Sequence, residues 1–201
     1  MPKQKHNFRM HSRDKEVLKT MARTGYITQA QATSYIGVGK DRLDTLEKQG
    51  LAKREHYILE GKQSYAFRLT NTGREWVKQN DATINHFYRP ASVPHDLQLT
   101  EILLSKFSPE QRQFVLTERD IQKEYQWDAK YDKRQMSPPD MVIKEHYITI
   151  GQEVVFVPMQ VIEITTDNYG NAEREMKETF IREIMLIEKV EEVLTYVKTR
   201  F

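Results

Sequence analysis

The chain is expected to fold as a mixed α+β protein, and three observations carry that expectation. Apolar residues recur at helical spacing through roughly the first fifty positions, alternate in strand fashion up to residue 69, and then switch between the two periods. Turn-forming residues fall where the period changes. Hydrophobic residues make up 38% of the 201 positions and charged residues 30%, too apolar a balance for disorder and enough to bury a core.

The elements follow in order. Residues 1–12 show no apolar periodicity and read as a basic flexible arm. From Asp14, the recurrence of Val17, Leu18, Met21 and Ala22 predicts a helix that Gly25 ends. Thr28 has the place of an N-cap for a short helix, Gln29 to Tyr35. After the break at Gly37-Val38-Gly39, a third helix is expected from about Lys40 to Gln49, with Leu43 and Leu46 inward and Gly50 as its cap. Leu51 to Leu59 reads as a strand, residues 60–63 as a hairpin turn, and Ser64 to Leu69 as the return strand with Tyr65, Phe67 and Leu69 on one face. Thr70 then caps a helix carrying Trp76 and Val77. Three helices, a β-hairpin and a closing helix make the winged helix-turn-helix arrangement over residues 13–80.

Residues 81–94 break periodicity, contain two prolines and read as a linker. Residues 95–201 are expected to form an α+β domain. His95 to Lys106 is read as amphipathic, Phe114–Thr117 and Met141–Ile143 as short strands, and Asp120–Met136 as an irregular insertion. Strands are expected around Tyr147–Ile150 and Val154–Thr165, and helix from Ala172 to about Lys198, as one helix or a pair. Ile181, Ile184, Met185, Ile187, Val190, Val193, Leu194 and Val197 would form its apolar stripe, a core or a dimer face.

Charge separates the two parts. Residues 1–80 hold 16 Lys/Arg against 8 Asp/Glu, whereas residues 81–201 hold 15 against 21. A basic first half suggests a polyanion partner, and with the helix order it points to double-stranded DNA. In a helix-turn-helix the third helix enters the major groove by its N-terminal residues. That makes Lys40, Arg42 and Thr45 the base- or phosphate-contacting candidates. The hairpin offers Lys53, Arg54, Lys62 and Arg68, with Lys62 near the tip, and the arm offers Lys3, Lys5, Arg9 and Arg13. A solvated surface is the competing reading for each of these residues, and a protein-interaction scaffold is the competing use of the fold.

Other classes are narrowed. Without cysteine there is no disulfide and no thiolate metal site, in keeping with a cytoplasmic location. No apolar run reaches the roughly 20 residues of a membrane span, so no membrane partner is expected. The basic start lacks the apolar segment of a secretory signal. The six histidines (His6, His11, His56, His86, His95 and His146) lack metal-ligand spacing, and His95 is read as packing against or capping its helix. No phosphate-binding glycine loop or nucleophile elbow occurs.

Arg13 to Gln79 resembles winged-helix regulators through Ile27-Thr28, the run Leu43 to Leu51, and Phe67 to Gly73. With Pro94-His95-Asp96-Leu97-Gln98-Leu99-Thr100-Glu101, Pro139-Asp140 and Val161-Ile162-Glu163-Ile164 added, most of the chain resembles the replication-relaxation family of plasmids and other mobile elements of Gram-positive bacteria. The resemblance implies DNA binding in replication, transfer or transcription control. It also implies a small α/β second domain similar to the restriction-endonuclease-like core. A homodimer through that domain, or a protein partner in a replication or transfer complex, is the expected use of the acidic half.

In that nuclease core, an Asp after proline and a Glu-x-Lys hold a divalent ion and activate water. Asp140 and Glu163 match, but Thr165 stands where lysine is expected. Glu101 offers a further carboxylate, and Lys177 a lysine from a new position. The missing lysine favours a non-catalytic domain without cofactor; magnesium enters only under the nuclease alternative. In the bland reading, Asp140 is a turn residue and Glu163 an outward position on an edge strand.

Overall fold

The computed structural model describes residues 8–59, 61–84, 86–90, 92–127, 136–166 and 168–199. Helix α1 (Ser12–Thr24) starts where the Asp14 carboxylate accepts the His11 amide at 2.7 Å, and ends where the Gly25 amide donates to the Met21 carbonyl at 3.0 Å. Strand β1 (Tyr26–Ile27) follows. Thr28 caps α2 (Gln29–Gln31): its hydroxyl accepts the Gln31 amide at 3.1 Å, while the Gln31 side chain accepts the Thr28 amide at 3.0 Å. The helix widens into one π turn, Ala32–Ile36, before stopping at Gly37. Helix α3 (Lys40–Lys48) buries Leu43 and Leu46 completely.

Strands β2 (Ala52–Leu59) and β3 (Lys62–Leu69) pair antiparallel from Ala52↔Leu69 to Leu59↔Lys62. The sheet order is β1-β3-β2. Thr70 caps α4 (Asn71–Asn80) by accepting the Gly73 amide at 3.0 Å. Phe67 and Leu69 join Leu18, Leu43, Leu46 and Val77 in one core on a single face of this sheet. Its other face, through Tyr26 and Ala66, packs on Leu97 of α5 (Val93–Lys106).

Helix α5 is buried nearly all round, from Asp96 to Leu104 with Glu101 as the half-exposed exception. Leu104 enters the first core, and Thr100 donates to the Tyr26 carbonyl at 2.5 Å. Leu99, Ile102 and Leu103 pack instead on a second sheet, built from β4 (Val115–Thr117), β5 (Met141–Ile143), β8 (Gln160–Thr165) and β9 (Leu194–Lys198) in that order. Strand alternation sends Met141, Ile143, Ile162 and Ile164 toward α5. Val142 and Val161 face the opposite layer, made by α6 (Glu118–Glu124), α7 (Asn171–Glu183) and α8 (Val190–Val193). Arg112 fastens the end of α5: its guanidinium donates to the Leu103, Leu104 and Phe107 carbonyls and pairs with Glu16 of α1 at 2.8 Å. Strands β6 (His146–Ile150) and β7 (Glu153–Val157) form a separate hairpin.

The mixed α+β class holds, and several elements differ from expectation. The segment read as amphipathic from His95 begins at Val93, and its burial is not one-sided. Part of the expected insertion, up to Glu124, is helix α6, because Thr117 and Asp120 form a cap there, with the Thr117 amide 3.2 Å from the Asp120 carboxylate. Residues 128–135 of that insertion lie outside the described residues. The run from Val154 is two strands, β7 and β8, divided by Pro158. The long C-terminal helix is interrupted after Glu183, where Leu186 takes a left-handed φ of 57°. Its last part is strand β9, parallel to β8, with register Val161↔Leu194 to Thr165↔Lys198. Among the described residues no helix is long and apolar enough to cross a membrane.

Candidate functional site

Two groups of residues stand out, one on the surface of the first half and one buried in the second. On the surface, α3 lies against β2, and its first turn carries Lys40, whose side chain is 55% exposed and pairs with Asp44 at 2.8 Å. The Thr45 hydroxyl donates to the Asp41 carbonyl at 2.7 Å. Lys53, Lys62, Arg9 and Arg13 are exposed, and Lys62 opens β3 at the hairpin tip.

Three arginines offered to DNA by the sequence point elsewhere. Arg42 turns inward: its Nε donates to Asp14 Oδ1 at 2.7 Å, its Nη2 to Asp14 Oδ2 and the Arg9 carbonyl, and its guanidinium covers the Phe8 ring. Burial opposes the charge on Asp14, but Arg42 outweighs it and holds the carboxyl below its usual range. Arg54 binds Glu47 and Asp44, each at 2.7 Å, over the rings of Tyr65 and Phe67. Arg68 pairs with Glu55 and lies over Tyr26. Each spends its charge on the fold. Lys3 and Lys5 lie outside the described residues.

The buried group joins α5, β5, β8 and α7. Asp140 stands at the head of β5, where its Oδ2 accepts the Ile164 amide at 2.8 Å and faces His95 Nε2 at 3.2 Å. The other nitrogen of His95, Nδ1, lies 3.1 Å from Asp96 Oδ1, which also accepts the Tyr88 hydroxyl at 3.0 Å. Glu163, in the middle of β8, takes the Asp140 amide on Oε2 at 3.1 Å. Its Oε1 receives the Tyr169 hydroxyl at 3.0 Å and lies 3.1 Å from Lys177 Nζ. Lys177 also donates to the Pro138 carbonyl at 2.7 Å.

The electrostatics follow from burial and from these partners. Burial works against the charge on His95, yet the hydrogen bonds and charges of Asp140 and Asp96 prevail and push its pKa up to about 10. For Glu163, burial first and the charge of Asp140 second push the pKa up to about 7, against the pull of Lys177 and Tyr169. Asp140 stays below its usual range despite burial, because His95, Lys177 and the Ile164 amide all favour its anion. The array is therefore a buried chain of alternating charge, Asp96–His95–Asp140 and Glu163–Lys177, with polar atoms paired inside the protein.

Several expectations are resolved here. Asp140, Glu163 and Lys177 do converge, although they are far apart in sequence. Glu163 is not an outward residue of an edge strand: β8 lies between β5 and β9, and Glu163 is 2% exposed. Asp140 is buried rather than a surface turn residue. Glu101 is not part of the group, because it projects from another side of α5 and binds Gln31 at 3.1 Å and the Tyr35 hydroxyl. Thr165, at the expected lysine position, is buried, and its carbonyl accepts the Thr199 amide at 2.8 Å. His95, Asp96, Tyr88 and Tyr169 escaped sequence reasoning as partners; His95-Asp96 beside a helix start was the one visible sign of them.

Magnesium does not fit this arrangement well. Both oxygens of Glu163, and Oδ2 of Asp140, already take protein donors, so an ion shared by the two carboxylates would compete with donors the protein itself supplies. Among the described residues no group of three or more His, Asp or Glu is arranged to hold a metal. Compared with known proteins, the chain matches no family model, no curated protein and no solved structure.

Proposed function

We propose that this chain binds double-stranded DNA through its first half, used as a winged helix-turn-helix. One observation carries the reading. Helix α3 packs beside the base of the β2–β3 hairpin, where Arg54 binds Asp44, and Lys40 on the helix and Lys62 at the hairpin tip are both exposed, in the half that carries the excess of positive charge. Lys40 and Thr45 would approach base edges or phosphate, and Lys62, Lys53, Arg9 and Arg13 would track the backbone. Arg42, Arg54 and Arg68 shape the surface without touching DNA. A role in the replication, transfer or transcription control of a mobile element rests on the family resemblance and belongs to this proposal.

The nuclease reading keeps one specific support, the contact between Lys177 and Glu163, which supplies a lysine where Thr165 does not. It is the weaker reading, because both oxygens of Glu163 and Oδ2 of Asp140 already take protein donors. In our reading the buried array joins layers of the fold and performs no chemistry.

Duplex binding by the full chain across a salt series, with and without magnesium, tests both. The expected result is affinity that falls steeply with salt and DNA that remains intact. Lys40→Ala and Lys62→Ala should each weaken binding and lower the salt slope by about 1, and the loss for Lys62, on the backbone, should be uniform across sequences. No binding at low salt would overturn the proposal. Magnesium-dependent cutting abolished by Asp140→Ala would replace it with the nuclease reading.

A further inference from the structure

The β6–β7 hairpin serves neither group described above. Its strands pair from Ile150↔Glu153 to His146↔Val157 around the two-residue turn Gly151-Gln152. Gly151 holds a φ of 65°, which the first position of such a turn requires and a side chain resists. The base is anchored by His146, 5% exposed, whose ring stacks on Phe114 at 4.3 Å. Beyond that point the ribbon leaves the body. Tyr147 and Val154 are each 69% exposed and Phe156 is 50% exposed. Among the described residues, none from Tyr147 to Val157 joins a buried cluster.

One face of the ribbon carries Tyr147, Thr149, Val154 and Phe156, with the two rings 5.3 Å apart. The other carries Ile148, Ile150 and Val155. Among the described residues no strand pairs with the outer edge of β7. That strand, Glu-Val-Val-Phe-Val, has none of the lysine, proline or bulge that usually blunts a free edge. A lone two-stranded ribbon is at best marginally stable in water.

We propose that β7 pairs with β7 of a second copy of this chain, antiparallel, across a two-fold axis at Val155. Charge narrows the occupant: residues 146–157 contain no Lys or Arg, so the ribbon has nothing to hold phosphate or an anionic lipid surface. Register then favours self-pairing. In a two-residue hairpin closed at Ile150↔Glu153, hydrogen-bonded pairs alternate along the ladder, which leaves the N–H and C=O of Val154 and Phe156 directed outward. A two-fold axis at Val155 sets Val154 opposite the partner's Phe156 and Phe156 opposite the partner's Val154, so each such pair exchanges both bonds. Glu153 falls opposite the partner's Val157, and no like charges meet. The result is a four-stranded ribbon whose aromatic face runs continuously across the axis. Five residues along one strand edge make a small interface, so association is weak and depends on concentration. The proposal rests on the hairpin and is independent of DNA binding.

Sedimentation velocity of the full chain over the micromolar range tests it, with doubling of the mass expected at the upper end. Val154→Lys, at an exposed position, should keep the chain monomeric throughout with its melting temperature unchanged. The chain has no cysteine, so Val155→Cys provides a single reporter. A non-hydrogen-bonded pair at the axis brings the two Cα atoms to about 4.5 Å, within disulfide reach. Val155→Cys should therefore cross-link to a covalent dimer on mild oxidation, whereas Gln152→Cys, at the hairpin tip, should not. A monomer at every concentration, a dimer indifferent to Val154→Lys, or equal cross-linking at both positions would each overturn the proposal.

Discussion

His95 bridges Asp96, its neighbour on α5, and Asp140 at the head of β5, and its charge ties two layers together. The consequence for stability has a definite sign. The pKa of His95 is raised from 6.5 to about 10, so its contribution is complete below pH 6.5 and is lost as pH rises through about 10. Glu163 is raised from 4.5 to about 7, and its contribution is lost as pH climbs between those values. Asp140 is lowered from 3.8 and acts in the other direction, being lost only as pH falls below that value. The melting temperature of the wild type should therefore decline from about pH 5 to about pH 10. His95→Gln should flatten the upper part of that decline, a difference on the order of a few kcal/mol between the ends of the window. Glu163→Gln should flatten the lower part. A His95→Gln protein that lost stability above pH 6.5 as steeply as the wild type would show that the bridge carries no such charge.

Helix α4 shows how contact overrides propensity. Gly73 sits in its first turn, where alanine would gain up to about 1 kcal/mol of helix propensity. A Cβ at Gly73 would lie 2.0 Å from the Leu51 carbonyl oxygen, which is itself held by the Thr70 amide at 3.2 Å. Backbone cannot give way as a flexible side chain can, so Gly73→Ala should destabilise the protein by at least about 2 kcal/mol in urea unfolding. A stabilised variant would show that α4 can slide away from Leu51. At the other end of the chain, β9 makes a related point. Leu194 and Val197 continue the apolar spacing of the preceding helix, yet Thr195, Tyr196 and Val197 suit a pleated strand, and the open edge of β8 supplies the hydrogen bonds. Spacing alone supports either form, and the sheet decides.

Across the molecule, α5 contributes to the core on each side of it. Leu104 lies with α1 and α3, Leu97 covers the first sheet, and Leu99, Ile102 and Leu103 cover the second. Tyr88 adds to this join by donating its amide to the Ala22 carbonyl at 2.9 Å. The two halves should therefore unfold together. The two tryptophans allow a direct check, since Trp76 packs against the first core and Trp127 against Phe180. Trp76→Phe and Trp127→Phe proteins, each with one reporter left, should show coincident fluorescence transitions in urea, matched by circular dichroism. Midpoints that separate after correction for each variant's stability would mean that α5 does not couple the halves. Leu97→Ala should lower the unfolding free energy by about 2–5 kcal/mol and move the common midpoint to lower urea.

The amino-acid sequence by itself determined what neighbours along the chain can settle. Val17 to Ala22 and Leu43 with Leu46 specify helices, Thr28 and Thr70 specify caps, and the alternation through Tyr65, Phe67 and Leu69 specifies a strand, because each depends on residues within about a turn or a hairpin. Asp140 and Glu163 were singled out together, with Lys177 as a possible substitute for the missing lysine, but their contact is made by the fold. Tertiary structure decided the rest. It placed Arg42 against Asp14, Arg54 against Glu47 and Arg68 against Glu55, and so paired three charges with carboxylates of the fold. It buried α5 on nearly every side, drew His95 to Asp140, and made β9 a strand. The physical reason is common to these cases. A charge or a free strand edge is satisfied by whatever partner the fold brings within a few ångströms, and spacing along one element carries no information about residues on another.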